Sequence, residues 1–265
     1  MSAIESWAKQ LADWAIPQHI LDQAPRSPYA HDPATFAVDE TLDRSVLSAE
    51  VARAVLPKSG GSVLDVGCGG GRAAMSLVPP AERVIGVDQD PAMLAAFTHA
   101  AATAGARSMT IQGNWPDAAV DTPPADVVTC HHVAYNVADI EPFVAALTGR
   151  ARLAVVLVIP TCHPMSAWND AWRRFWNIDR PAGPTSDDFA AVLTEMGIEA
   201  ERWDMPRPPL ARHASDLASL VPATLRRLCL AEDRADEVAE FLAVHEPDWS
   251  TVHTVFRWPG DGTTT

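Results

Sequence analysis

The stretch Val63-Leu64-Asp65-Val66-Gly67-Cys68-Gly69-Gly70-Gly71-Arg72 decides the fold. It reads as a buried strand, a glycine-rich turn and the start of a helix. Glycine has no Cβ, so it allows positive φ and lets a ligand lie against bare backbone. A helix N-terminus beyond such a turn offers unpaired N–H groups and a positive dipole end to an acidic or polar group. The spacing narrows the ligand. A dinucleotide fingerprint, G-x-G-x-x-G, needs glycine three positions after Gly69, where Arg72 stands. The chain carries Asp65-x-Gly67-x-Gly69-x-Gly71 instead. A second strand, Val84-Ile85-Gly86-Val87-Asp88, then ends in a carboxylate 23 positions after Asp65. A carboxylate at a strand tip can accept hydrogen bonds from two adjacent ribose hydroxyls.

Working outward from this unit, short apolar runs alternate with helical patterns, the signature of βαβ units and a parallel sheet. Strands are expected over 62–66, 83–88, 108–112, 126–130 and 152–159, the last apolar throughout, as a strand covered on both faces should be. Helices are expected over 72–77, 91–104 and 140–148. Asp90 caps the second of these, with Pro91 at its first position and Gly105 closing it. Three segments fall outside the alternation: helices in 1–58, broken by a Pro-rich turn between Pro25 and Pro33; an insertion rich in Trp and Pro at 160–184; and residues 206–250. The last opens with Pro206-Arg207-Pro208-Pro209 and continues as helix, with Leu217, Leu220, Val221, Leu225 and Leu228 forming an apolar stripe. Two further strands are expected at 199–203 and 251–258, then a frayed tail. The expected architecture is a doubly wound α/β, mostly parallel seven-stranded sheet: residues 1–58 form an N-terminal helical cap and 59–265 the main domain.

With these residues in place, the sequence resembles the class I S-adenosylmethionine-dependent methyltransferases, well over about residues 60–159 and loosely over the C-terminal strands. The resemblance implies S-adenosylmethionine as cofactor and a role for each matching position. Gly67, Cys68, Gly69 and Gly71 would form the loop beside the methionine part, with Asp65 anchoring it and helping to hold the amino group. Asp88 would grip the ribose, with Gln89 near the adenine. Asn114 and Trp115 stand where the family commonly has Gly-Asp-Ala, so Asn114 would face the adenine amino edge without a charge. Cys130 and His131, at the end of the fourth strand, would line the methionine part and open towards substrate.

An activated methyl donor asks the protein mainly to align the nucleophile, which supplies on the order of 7–11 kcal/mol of barrier reduction. A general base adds about 10²–10⁴-fold where the nucleophile must lose a proton. His131, His132 and His163, each near a strand's C-terminal end, are the candidate bases; His132 is the best placed, with capping or packing in the loop as its competing reading, and His163 should hang over the cleft. Tyr29, Tyr135 and Trp168 are candidate substrate contacts. Trp168, Trp172 and Trp176 recur every four residues, which fits either core or an aromatic roof over substrate. Arg173, Arg174 and Arg180 flank that stripe and read as solvated surface or as partners of an acidic group. Arg26, Tyr29 and His31 could gate the cofactor's mouth. No metal site is expected, because His131, His132 and His163 have no acidic companions at ligand spacing. Nucleic-acid amino-methylating enzymes of this fold carry an Asp/Asn-Pro-Pro-aromatic motif after the fourth strand, whereas the residues here are Cys130-His131-His132-Val133.

Composition agrees. The chain has 265 residues with formal net charge −14 and 48% hydrophobic residues, globular values that disfavour a phosphate-backbone partner. Its longest apolar run, from Leu153 to Ile159, is far short of a membrane span. Glu5, Lys9 and Asp13 stand where a secretory signal would be apolar, and the four cysteines include no CxxC pair. The expectation is a cytoplasmic enzyme that methylates a small organic acceptor at oxygen or nitrogen, with the leucine stripe leaving a homodimer open. A nicotinamide-dependent oxidoreductase and a non-catalytic cofactor-binding protein are the alternatives.

Overall fold

The structure, a computed structural model, describes residues 1–29, 38, 42–205, 216–245 and 252–262. His31, the 206–209 run and the side chain of Leu217 lie outside the described residues. Strands β1 (Gly61–Val66), β2 (Ala81–Asp88), β3 (Arg107–Gln112), β4 (Ala125–His131) and β5 (Ala151–Pro160) are parallel. β6 (Glu201–Met205) and β7 (His253–Pro259) complete one seven-stranded sheet in the order β3-β2-β1-β4-β5-β7-β6, with β7 antiparallel to both neighbours. The chain winds outward from β1 in one direction and from β4 in the other. The strand order therefore reverses between β1 and β4, where open α/β sheets bind ligands at the strands' carboxyl ends.

Strand side chains alternate between two buried layers. Leu64, Val66, Val128, Cys130, Val155 and Leu157 enter one core with Phe143, Phe189 and Trp258. Val63, Val127, Val156 and Val158 enter the other with Met75, Leu94 and Phe97. Burial on both faces explains the unbroken apolar run of β5.

Ten helices frame the sheet among the described residues: α1 (Ala3–Ala12), α2 (Gln18–Leu21), α3 (Leu47–Arg53), α4 (Arg72–Met75), α5 (Pro91–Ala104), α6 (Ile140–Arg150), α7 (Asn169–Trp176), α8 (Ser186–Glu195), α9 (Asp216–Arg227) and α10 (Ala235–Val244). Asp90 caps α5 by accepting the Ala92 amide at 2.8 Å, and Gly105 closes it at φ +78°. α4 is a single turn, shorter than the expected 72–77, because Pro79 and Pro80 follow closely and cannot continue a helix. One turn has little macrodipole, and its Ala74 amide is already bonded to Asp65, so this helix does not offer the expected dipole end to a ligand.

The three segments outside the βα alternation pack against one another. Ile16 and Ile20 from the N-terminal region, Trp168 and Trp172 from the insertion, and Leu225, Leu228, Val238 and Leu242 from α9 and α10 form a third apolar cluster. Leu220 and Val221 pack on it too, so the leucine stripe is spent inside the chain. The N-terminal region is also stitched to the main core. Trp7 is completely buried, donates to the Val137 carbonyl at 2.8 Å, and meets the Phe189 ring at 5.6 Å.

Candidate functional site: a two-ended cavity at the strand tips

The glycine turn sits where its conformations require it. Gly67, Gly69 and Gly71 have φ of +68°, +49° and +94°. A Cβ on Gly67 would lie 2.3 Å from Val133 Cγ2, so side-chain-free backbone is what lets the turn meet the β4 loop. The turn is tied to β2 by Gly67 and Cys68 amides donating to the Val87 carbonyl at 2.8 and 3.0 Å. The Gly69 amide donates to Asp88 Oδ2 at 2.9 Å, and Asp88 Oδ1 accepts the Asp90 amide at 3.0 Å. Below the turn, Asp65 accepts the Ala74 amide at 3.2 Å and the Thr129 hydroxyl at 2.9 Å. Complete burial outweighs these bonds and pushes its carboxyl up to about 7.

A cavity of about 1620 Å³ opens over these strand tips. Pockets for a single small ligand span about 300–1,000 Å³, so there is room for two. Asp65, Gly67, Cys68, Gly69, Asp88, Gln89, Asn114, Trp115 and His131 line one end. Trp115 is fixed by its indole N–H donating to the Phe143 carbonyl at 3.2 Å. Two expected residues are placed elsewhere. Gly71 packs its backbone on Phe97 and does not line the cavity. Cys130 has no exposed surface and points into the core beneath the sheet, because alternation along β4 turns it away from the cavity. Burial raises the thiols of both Cys68 and Cys130.

His131 and His132 take opposite settings. His131 Nε2 is shielded from solvent with no hydrogen-bond partner, and desolvation, with His253 nearby, pulls the ring down to about 4. His132 is exposed, lines the cavity and adopts φ +61°, an uncommon conformation for a non-glycine residue. Its ring meets that of His253 at 4.7 Å. His253 escaped the sequence reading because β7 is antiparallel and distant in sequence; only its pairing with Pro160 brings it to the β4 tip.

His163 lines the cavity with both sides of its ring engaged by the chain. Its Nδ1 accepts the Met165 amide at 3.3 Å, capping the turn Pro164–Trp168, and its ring hydrogen-bonds the Tyr135 backbone. It stacks on Trp14 at 4.2 Å, and burial holds it neutral, down to about 4. Tyr135 lies edge-on to His163 at 5.6 Å, its hydroxyl pushed up to about 12 by burial. Tyr135, Tyr29 and Trp168 all line the cavity's second end, although Tyr29 is also largely open to solvent.

Trp14 and Arg227, which the sequence reading did not single out, line this second end together with Trp172 and Arg180, two residues it offered as roof and as partner of an acidic group. The tryptophan stripe is therefore both core and roof: Trp168 and Trp172 are buried in the third cluster and also face the cavity. Of its flanking arginines, Arg173 pairs with Asp170 and Asp179, and Arg174 with Glu237, at the surface. Arg180 turns inward. Arg26 faces Glu232 at 3.6 Å with both side chains mostly exposed, so the expected gate does not include it. Among the described residues, no group of three or more His, Cys, Asp or Glu side chains could hold a metal ion.

Comparison with known proteins agrees with this geometry. Residues 63–153 match the family model described as a methyltransferase domain. The chain is 35% identical over 106 residues to the carboxy-S-adenosyl-L-methionine synthase of Wolinella succinogenes, covering 36% of this chain and 43% of that protein. It thus spans less than half the length of that relative. A cyclopropane-fatty-acyl-phospholipid synthase-like protein from Lactobacillus casei shares the fold at TM-score 0.56 and 17% identity, covering 91% of this chain and 98% of that one. An S-adenosylmethionine-dependent methyltransferase from Thiobacillus denitrificans, solved with S-adenosyl-L-homocysteine, does so at TM-score 0.52 and 18% identity, covering 92% and 98%. The domain match over residues 63–153, the sheet order and the glycine turn thus agree with the resemblance to the class I S-adenosylmethionine-dependent methyltransferases.

Proposed function

We propose that this protein binds S-adenosylmethionine at the glycine-turn end of the cavity and transfers its methyl group to oxygen or nitrogen of a small organic acceptor at the other end. The observation that carries this reading is the single cavity, large enough for two ligands, that runs from the Gly67–Gly69 backbone to the aromatic roof. The residues present fit the cofactor. Asp88 spends one acceptor site of each carboxylate oxygen on an amide, and an ionised carboxylate has about four, so a hydroxyl pair can still be accepted. Gly69 and Gly70 present bare backbone to the cavity, and Asp88 and Asp90 set carboxylates at that end for a cationic ligand.

When bound, the cofactor supplies a methyl group already activated on sulfur. The chain's own task is then positioning. Asp88 accepts the ribose hydroxyls; Gln89, Asn114 and Trp115 border the adenine; Asp65 holds the turn and neighbours the amino group. His131, with its one unpartnered nitrogen, borders the methionine part. His132, at the β4 tip, takes the acceptor's proton where one must leave. The acidic composition supports a small-molecule acceptor over nucleic acid. No helix of the described residues is long and apolar enough to cross a membrane, and we read the protein as cytoplasmic. Incubation with methyl-labelled S-adenosylmethionine and a library of small hydroxyl and amine compounds tests the reading. Stoichiometric formation of labelled product and S-adenosyl-L-homocysteine is expected; binding of the cofactor with no turnover on any acceptor contradicts it.

A further inference from the structure

The cavity is electrically asymmetric. Its glycine-turn end carries Asp65, Asp88 and Asp90 beside Arg72, whereas the described lining residues drawn from 8–29, from the 160–184 insertion and from α9 include no Asp or Glu. They include two guanidinium groups, Arg180 and Arg227. His163, between them and the β4 loop, is held neutral by burial.

Arg180 is the instructive one. Its guanidinium carbon sits 5.1 Å from the Trp14 ring centroid and 4.9 Å from that of Trp172, a cation in contact with two indole rings. Its Nη atoms donate to the Ala15 carbonyl at 3.0 Å and to the Trp14 carbonyl. Asn169 pins the backbone by donating to the Arg180 and Pro181 carbonyls at 3.1 and 3.0 Å. Burial pulls its pKa down, yet a guanidinium keeps its charge in proteins. None of the described carboxylates forms an ion pair with it, and Nε is buried with no acceptor. Of its five donors, two are accounted for. A half-buried cation with donors to spare is stabilised when an anion meets it.

The slot selects the shape of that anion. With indole rings close by and one hydrogen on each Nη still unaccounted for, the guanidinium suits a flat, two-oxygen carboxylate, the usual planar partner of an arginine. The remaining walls, Trp168, Tyr135, Met165 and Ile16, are apolar or aromatic and suit a ring. We infer that the methyl acceptor is an aromatic carboxylic acid whose ring lies under the tryptophan roof and whose carboxylate is held by Arg180. This rests on the proposed function, since it names the acceptor class for the same cavity.

The test is calorimetric titration of the full chain, saturated with S-adenosyl-L-homocysteine, with 4-hydroxybenzoate, indole-3-acetate and 2-naphthoate, each against its own carboxamide. At least one acid should bind about tenfold or more tighter than its amide, the expected scale for one charge-assisted pair. In Arg180→Gln that preference should collapse, while Arg180→Lys should retain part of it. Should Arg180→Gln fail to fold, the acid-to-amide ratio in the wild type still decides. Equal binding of acids and amides, or no binding of either to a protein that binds S-adenosyl-L-homocysteine, overturns the inference and leaves the proposed function standing. Failure to bind S-adenosyl-L-homocysteine at all overturns the proposed function itself.

Discussion

Asp88 accepts the backbone amide of Gly69 at 2.9 Å, so the tip of the second strand and the glycine turn of the first are one rigid unit. The carboxylate expected to grip a sugar also shapes the loop expected to cradle the amino acid tail. Replacement by alanine should therefore act twice. Asp88→Ala is expected to weaken S-adenosyl-L-homocysteine binding by about 1.5–3 kcal/mol or more, through lost charge-assisted hydrogen bonds and the unmet Gly69 and Asp90 amides. Calorimetry checks this, and unchanged affinity would remove Asp88 from the site.

Gly67→Ala combines a Cβ at positive φ with a 2.3 Å clash against Val133. The φ penalty alone is about 1–2 kcal/mol, and overpacking adds about 1–3 kcal/mol. Adding Val133→Ala should relieve the clash while leaving the φ penalty. Denaturant unfolding of the two single variants and the double variant should give a favourable coupling of about 1 kcal/mol or more; strict additivity would show that the two residues do not meet.

Trp7→Ala tests whether the first 58 residues are a separable cap. The side chain is completely buried against Phe189 and bonded to the Val137 carbonyl, so truncation should cost about 3–5 kcal/mol. Thermal unfolding should remain a single transition shifted downward. A lost early transition with the main one unmoved would mark the N-terminal region as a separate unit.

Asp65 sets a pH dependence with a definite sign. Its carboxyl is raised from 3.8 to about 7 in the folded chain, so folding takes up a proton between these values. Its contribution to stability is fully present below about pH 4 and is lost as pH rises through about 7. His131 and His163, both lowered to about 4, act in the opposite direction, losing stability as pH falls from about 6.5. Comparing wild type with Asp65→Asn isolates the carboxyl: the variant's relative stability should grow from pH 4 to 7. A pH-independent difference would contradict the assignment.

The sheet and its cofactor-facing end were legible because local rules govern them. Positive-φ glycines, a capped Pro91 helix and an apolar β5 each carry their own signature in a few residues. α8 had one too, the Thr185 and Asp188 capping box, which went unread beside the Pro-rich segment before it. The second end of the cavity was legible only in part, because it is assembled from distant segments: Tyr29, Tyr135 and Trp168 could be singled out one by one, but not their convergence. Trp14, Trp172, Arg180 and Arg227 meet only through tertiary packing. The partners of His163 were hidden for the same reason, since Met165 and Tyr135 meet its ring only in the folded chain.

The central claim is that the Gly67–Gly69 turn and the Asp88 strand tip together hold S-adenosylmethionine. Calorimetric titration of the folded wild-type chain with S-adenosyl-L-homocysteine tests it most directly. The account predicts saturable binding at one site per chain, weakened by about tenfold or more in Asp88→Ala. A folded protein that gives no binding signal, or one whose affinity ignores Asp88, would contradict it.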